Sequence, residues 1–170
     1  MSDPRKAALQ YAKNNQARFL DNVKTLTAIP SVSTDPDRID EMAEAASWLK
    51  NELLDLGMEH VQIYPTPGHP IVYGDYLKAD PDAPTVLIYG HYDVQPETPL
   101  EKWETEPFTP TEQGENLYGR GATDMKGQVV ATLAAVESIL ETGDLPVNIK
   151  FLIEGEEEIG GPNLAPFIKE

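Results

Sequence analysis

Two uninterrupted β-rich apolar runs, Thr85-Val86-Leu87-Ile88-Tyr89 and Val147-Asn148-Ile149-Lys150-Phe151-Leu152-Ile153, flank a helical pattern from about Gly127 to Glu141. Nothing else in the chain narrows the fold as much. Runs of this kind suit strands covered on both faces. The order strand, long loop, helix, strand calls for a parallel crossover, because parallel neighbours cannot be joined by a tight turn. The expected fold class is α/β, with a mixed, largely parallel central sheet and helices on both faces.

Upstream, a helix is expected from Pro4 to Ile29, where Ala12, Phe19, Leu20, Val23 and Leu26 recur at helical spacing. Asp3 is its cap, Pro4 occupies its first turn and Pro30 ends it. A second helix is expected from about Ile39 to Leu56, with Met42, Ala45, Leu49, Leu53 and Leu56 in one stripe that Trp48 extends, and with Gly57 as terminator. Alternation at Val61 and Ile63, and again from Ile71 to Leu77, predicts two strands that can form a hairpin through Pro65-Thr66-Pro67-Gly68. The stretch from Val94 to Asn116, rich in proline, glutamate and threonine, is expected as a surface loop. Pro162 to Glu170 reads as the opening turns of a further helix, cut off before its stripe is complete. The length of 170 residues suits one domain.

The balance of 29 acidic against 13 basic residues, a formal charge of −16, repels phosphates and anionic lipid. Nucleic acid and membrane are therefore excluded as partners. With no cysteine, disulfides and thiolate zinc sites are excluded too, so a bound transition metal must be held by imidazole, carboxylate and water. No stretch approaches the length that spans a bilayer, and a cytoplasmic location is the expectation.

The candidate chemistry sits at strand ends. In extended backbone, residues two apart point the same way, so His91 and Asp93 face one crevice beyond the Thr85–Tyr89 strand. A carboxylate there can hold the non-ligating imidazole nitrogen and fix the tautomer. Asp124 follows Gly119-Arg120-Gly121 and precedes a helix, where it can bridge two cations or merely cap the helix. Glu156, Glu157 and Glu158 follow the Val147–Ile153 strand, at the carboxyl end where open α/β sheets keep their crevices. There, one acid can bind a cation while another takes a proton from water. Each motif has a plainer reading: a loop histidine satisfied by backbone, a cap, a charged loop, and Lys126 and Arg120 paired with surface acids. Their coincidence at strand ends and a helix entrance favours a metal site.

The segments GHYDVQP (Gly90 to Pro96), LYGRGATDMKG (Leu117 to Gly127) and FLIEGEEEIGGPNL (Phe151 to Leu164) strongly resemble a di-metal peptidase family. That family includes carnosinase-like dipeptidases, aminoacylases, carboxypeptidase G2, acetylornithine deacetylase and succinyl-diaminopimelate desuccinylase. Ile29-Pro30-Ser31-Val32-Ser33, and Trp103 with Pro107-Phe108, resemble its dipeptidase branch. The resemblance implies His91 as a metal ligand, Asp93 as the acid that orients it, and Asp124 as the carboxylate bridging two metals. It implies Glu157 as general base and Glu158 as ligand of the other metal, with Glu156 at a variable position. It further implies a cis peptide at Asp124-Met125.

The activity so implied is hydrolysis of the amide bond of dipeptides or short peptides by water activated at two divalent ions, zinc, manganese or cobalt. An N-acyl-amino-acid deacylase is the alternative substrate class, and a non-catalytic acidic binding module the alternative of another kind. Family members continue through a further acidic ligand, a lid or dimerisation domain and a late histidine ligand. The expectation is therefore that residues 1–170 are the N-terminal part of a metallopeptidase catalytic domain. Such a piece would be monomeric where its parent enzyme is a homodimer, and weakly active or inactive by itself.

Overall fold

The computed structural model describes residues 3–169. Asp3 accepts the Arg5 N–H at 3.1 Å and Pro4 opens the first turn, so helix α1 (Pro4–Asn14) starts as expected. The expected single helix to Ile29 is instead two, because Asn15 leaves helical geometry at φ −104° and ψ 8° before α2 (Gln16–Ala28) begins. The Asn15 amide donates to the Tyr11 carbonyl at 3.0 Å, a local side-chain bond of the kind that competes with helix continuation. Helix α3 (Ile39–Asp55) buries Met42, Ala45, Ala46, Leu49 and Leu53 along one stripe. Gly57, at φ +80°, turns the chain out of it.

The predicted hairpin follows as β1 (Glu59–Tyr64) and β2 (Ile71–Tyr76), antiparallel with Tyr64 opposite Ile71. Next comes β3 (Thr85–His91). The stretch expected as loop ends in a small hairpin of β4 (Thr111–Gln113) and β5 (Asn116–Tyr118), turned by Gly114 at φ +63°. Its strands are three residues each, too short for alternation to stand out beside the prolines and glutamates around them. Helix α4 (Lys126–Leu140) then crosses to β6 (Asn148–Glu154), and a short α5 (Leu164–Lys169) closes the described chain.

The four-stranded sheet has the order β1-β2-β6-β3. It is mixed: β3 and β6 are parallel, as the α4 crossover requires, and the hairpin docks antiparallel onto β6. Gly74 of β2, Phe151 of β6 and Ile88 of β3 lie in register and so share a face. A Cβ at Gly74 would touch Leu53 and Met58, and one at Gly90, two residues past Ile88, would press on Val129 and Met125. Both α3 and α4 therefore cover this face, and Leu49, Leu53, Val129, Val136, Ile149, Phe151 and Ile153 form one core beneath them. The opposite face carries Tyr64 and Tyr73, edge-on to each other, and Phe167 of α5 against Tyr64. Helices thus lie on both faces in unequal measure.

The apolar run Thr85–Tyr89, expected to be covered on both faces, is instead the outermost strand among the described residues. Leu87 and Tyr89 remain 56% and 42% exposed. An apolar sequence reports affinity for burial, not which neighbour supplies it.

One polar cluster stands apart on the hairpin. His60, at φ 51°, lies where the β1 register slips, and its Nδ1 donates to Asp75 Oδ1 at 2.9 Å. Tyr73 Oη donates to the other oxygen of this buried carboxylate, also at 2.9 Å. Burial and the Asp75 bond push Tyr73 up to about 12, and the Asp75 bond and charge raise His60 above its ordinary 6.5.

Two outcomes follow from packing and charge. Leu49→Ala, at a fully buried site, is expected to destabilise by about 2–5 kcal/mol in urea unfolding, against about 0.5 kcal/mol or less for Leu54→Ala on the exposed side. Because protonation of His60 is favoured by the fold, its contribution is full below pH 6.5 and is lost as pH rises through its raised folded value. NMR titration should find His60 above its ordinary value in the native protein and returned toward it in Asp75→Asn, with the matching slope of stability against pH abolished.

Candidate metal centre

The carboxyl ends of β3 and β6 lie side by side, with His91 in register with Glu154. The Tyr92 N–H continues the pairing onto the Glu154 carbonyl at 2.9 Å. Tyr92 is fully buried and its hydroxyl donates to Pro70 O at 2.8 Å. Its ring lies against Gly155, where an added Cβ would come within 2.4 Å of the phenol oxygen. Glycine there lets the turn after β6 close over the end of β3.

That turn is fastened by Asp93, which has no exposed surface. Its Oδ1 accepts the Glu157 N–H at 3.2 Å, and its Oδ2 accepts the Glu158 N–H at 3.1 Å and the Ser33 hydroxyl at 2.7 Å. His91 Nδ1 donates to the Asp93 carbonyl at 3.0 Å and lies 3.2 Å from Asp93 Oδ1. The other ring nitrogen, Nε2, lies 3.1 Å from Asp124 Oδ1 and 3.8 Å from Glu157 Oε2. Burial works against the imidazolium, but the Asp93 bonds and charge override it and push His91 up to about 9.

Asp124 follows the Gly119–Gly121 turn, its peptide bond to Met125 is cis, and its side chain is 77% exposed. It does not cap α4, whose first turn has no side-chain cap. Glu157 and Glu158 occupy a single helical turn, Glu157–Ile159, that Gly160 ends at φ +88°. Of the residues picked out by sequence, His91, Asp93, Asp124 and Glu157 thus come together. Glu158 joins them through its backbone N–H, while its carboxylate accepts from the Gln95 amide at 2.9 Å. Among the described residues no closed group of three acidic, histidine or cysteine ligands is formed.

The donors nonetheless fit a divalent cation. An imidazole nitrogen with its partner nitrogen already held by Asp93, beside exposed carboxylate oxygens and with no thiolate in the chain, matches the chemistry of zinc, manganese or cobalt.

Several residues with a stake in this region escaped the sequence reading. Lys126 and Arg120 do not pair with surface acids. Lys126 is fully buried, donates to Ile29 O at 2.6 Å, and is pulled down to about 7 by burial against the opposing charge of Asp93. Arg120 donates to Pro96 O at 3.1 Å and lies over the Trp103 ring. Glu156, at the position left without a role, is buried, accepts the His69 N–H at 3.2 Å and the Asn163 amide at 2.6 Å, and so ties the hairpin turn to the end of β6. Tyr89 donates to the buried Glu154 at 2.6 Å, and burial raises that acid. Spacing alone reveals none of these, since all the partners but Asn163 are far away in sequence.

Residues 87–170 match the model of Peptidase family M20/M25/M40. Beta-Ala-His dipeptidase of Rattus norvegicus is 41% identical over 175 residues, covering 94% of this chain and 35% of the relative. Cys-Gly metallodipeptidase DUG1 of Candida albicans is 41% identical over 162 residues, covering 86% and 33%. The crystal structure of human carnosine dipeptidase 1 superposes with a TM-score of 0.90 at 35% identity, covering 99% of this chain and 38% of that one. Residues 87–170 thus share the sequence pattern of this family of metallopeptidases. The chain spans about a third of the length of the curated relatives it matches.

Asp93→Ala is expected to remove about 3 kcal/mol of stability, since it leaves the Ser33 hydroxyl and the Glu157 and Glu158 amides without their common acceptor and His91 with the backbone carbonyl alone. Urea unfolding of the variant against the native protein measures this directly.

Proposed function

We propose that the protein serves metal-dependent hydrolysis of the amide bond of dipeptides or short peptides, and that residues 1–170 form the N-terminal part of the catalytic domain. The observation that carries this reading is the imidazole of His91, held at Nδ1 by Asp93 and approached at Nε2 by Asp124 and Glu157. The dipeptidase names of the relatives support the substrate class. Two divalent cations, zinc being favoured and manganese or cobalt accepted by the same donors, supply Lewis acidity at the scissile carbonyl and make water acidic when bound.

In this reading His91, through Nε2, together with Asp124 and Glu158 would hold the cations. For Glu158 that means exchanging the Gln95 amide for a cation. Asp93 neither binds nor reacts; it keeps the proton of His91 on Nδ1, so that Nε2 presents its lone pair. Glu157 Oε2, half-exposed and next to the ligand imidazole, takes a proton from water and returns it to the departing amine.

The whole protein is expected to hydrolyse dipeptides in preference to N-acetyl amino acids, and to lose turnover on chelation of its metal. Glu157→Gln should lower kcat by about 10²- to 10⁴-fold with metal content unchanged. A preference for N-acetyl amino acids would move the assignment to a deacylase, and absence of metal-dependent hydrolysis of both classes would overturn it.

A further inference from the structure

The segment Ser31-Val32-Ser33 runs alongside Tyr92-Asp93-Val94. Val32 and Val94 form a parallel bridge, and the Val94 N–H donates to Ser31 O at 2.9 Å. Ser31 and Ser33 flank the bridging Val32. Both are buried, yet they do different things: Ser31 Oγ donates to the Tyr92 carbonyl at 2.6 Å, whereas Ser33 Oγ donates to Asp93 Oδ2 at 2.7 Å. The Ser33 carbonyl is itself held by His69 Nε2 at 2.9 Å. The hydroxyl is therefore presented from an anchored backbone.

A carboxylate can swivel about its Cβ–Cγ bond, and every other contact of Asp93 leads into the candidate site. Oδ2 is shared by Ser33 and the Glu158 amide, and Oδ1 by the Glu157 amide and His91 Nδ1. Among the described residues, Ser33 is the one donor to this carboxylate that belongs to neither the histidine nor the glutamate turn. We propose that Ser33 is a positioning residue: by fixing the plane of the Asp93 carboxylate it sets the direction of His91 and the position of the Glu157–Glu158 turn together. Its consequence for cation affinity rests on the metal-centre reading. Its consequence for the turn needs no cation.

Ser33→Ala, Ser33→Thr and, as a control in the same buried segment, Ser31→Ala separate these effects. Without metal, amide hydrogen exchange at Glu157 and Glu158 is expected to quicken about tenfold in Ser33→Ala, through weakened acceptance by Asp93, and to return toward native in Ser33→Thr. Calorimetric titration with zinc should show affinity reduced about tenfold or more in Ser33→Ala, restored by Ser33→Thr. Ser31→Ala is expected to lower the unfolding midpoint while leaving both readouts close to native. Unchanged exchange at the two amides in Ser33→Ala, or a change equal to that in Ser31→Ala, overturns the inference. If the native protein takes up no zinc but exchange responds as stated, the metal-centre reading falls and the positioning role of Ser33 stands.

Discussion

A single buried carboxylate organises the business end of this molecule. Asp93 is out of contact with solvent yet collects donors from three separate stretches: Ser33 before the sheet, His91 at the end of β3, and the amides of Glu157 and Glu158 beyond β6. A carboxylate so far from water is tolerable only when its lone pairs are filled by donors. Lys126, equally buried, lies nearby and donates to the Ile29 carbonyl. The strand ends, the glutamate turn and the entrance of α4 are therefore not independent. Each is placed by reference to the same few polar atoms.

The glycines around this centre explain why the chain can come so close to itself. A Cβ on Gly68 would overlap the Glu156 carboxylate, and one on Gly127 would meet the Ala122 carbonyl at 2.2 Å. These positions need the smallest residue because polar groups, rather than apolar side chains, are packed against their backbone. The apolar core beneath α3 and α4 gives the sheet its stability, and the polar layer at the strand ends gives it a defined geometry.

Much of this was legible in the amino-acid sequence, and the exceptions have physical causes. The α3 stripe, the β1–β2 hairpin and the β3–α4–β6 crossover follow from periodicity, because each is a local pattern facing one large apolar partner. The helix break at Asn15 did not, since one side-chain bond to Tyr11 decides it. Spacing brought out His91, Asp93, Asp124 and the glutamates as candidates. It had no means of showing that the Glu158 carboxylate turns to Gln95, or that Glu156 fastens the hairpin turn, because those partners lie 63 and 87 residues away. Nor did it give the Ser33 hydroxyl a role.

The outer margin of β3 brings a further consequence. Among the described residues this strand pairs on one side only, and Val86, Leu87 and Tyr89 stand out from it in both directions. A bare margin of that kind is adhesive: its spare amides and carbonyls are a template for any extended chain, and its alternate side chains reward one that is greasy on both sides. The formal charge of −16 sets like copies against one another at a distance, but in physiological salt that repulsion fades beyond about 8 Å. Long-range electrostatics can therefore delay self-recognition along β3 without forbidding it, and only polypeptide laid over the strand would make it inert.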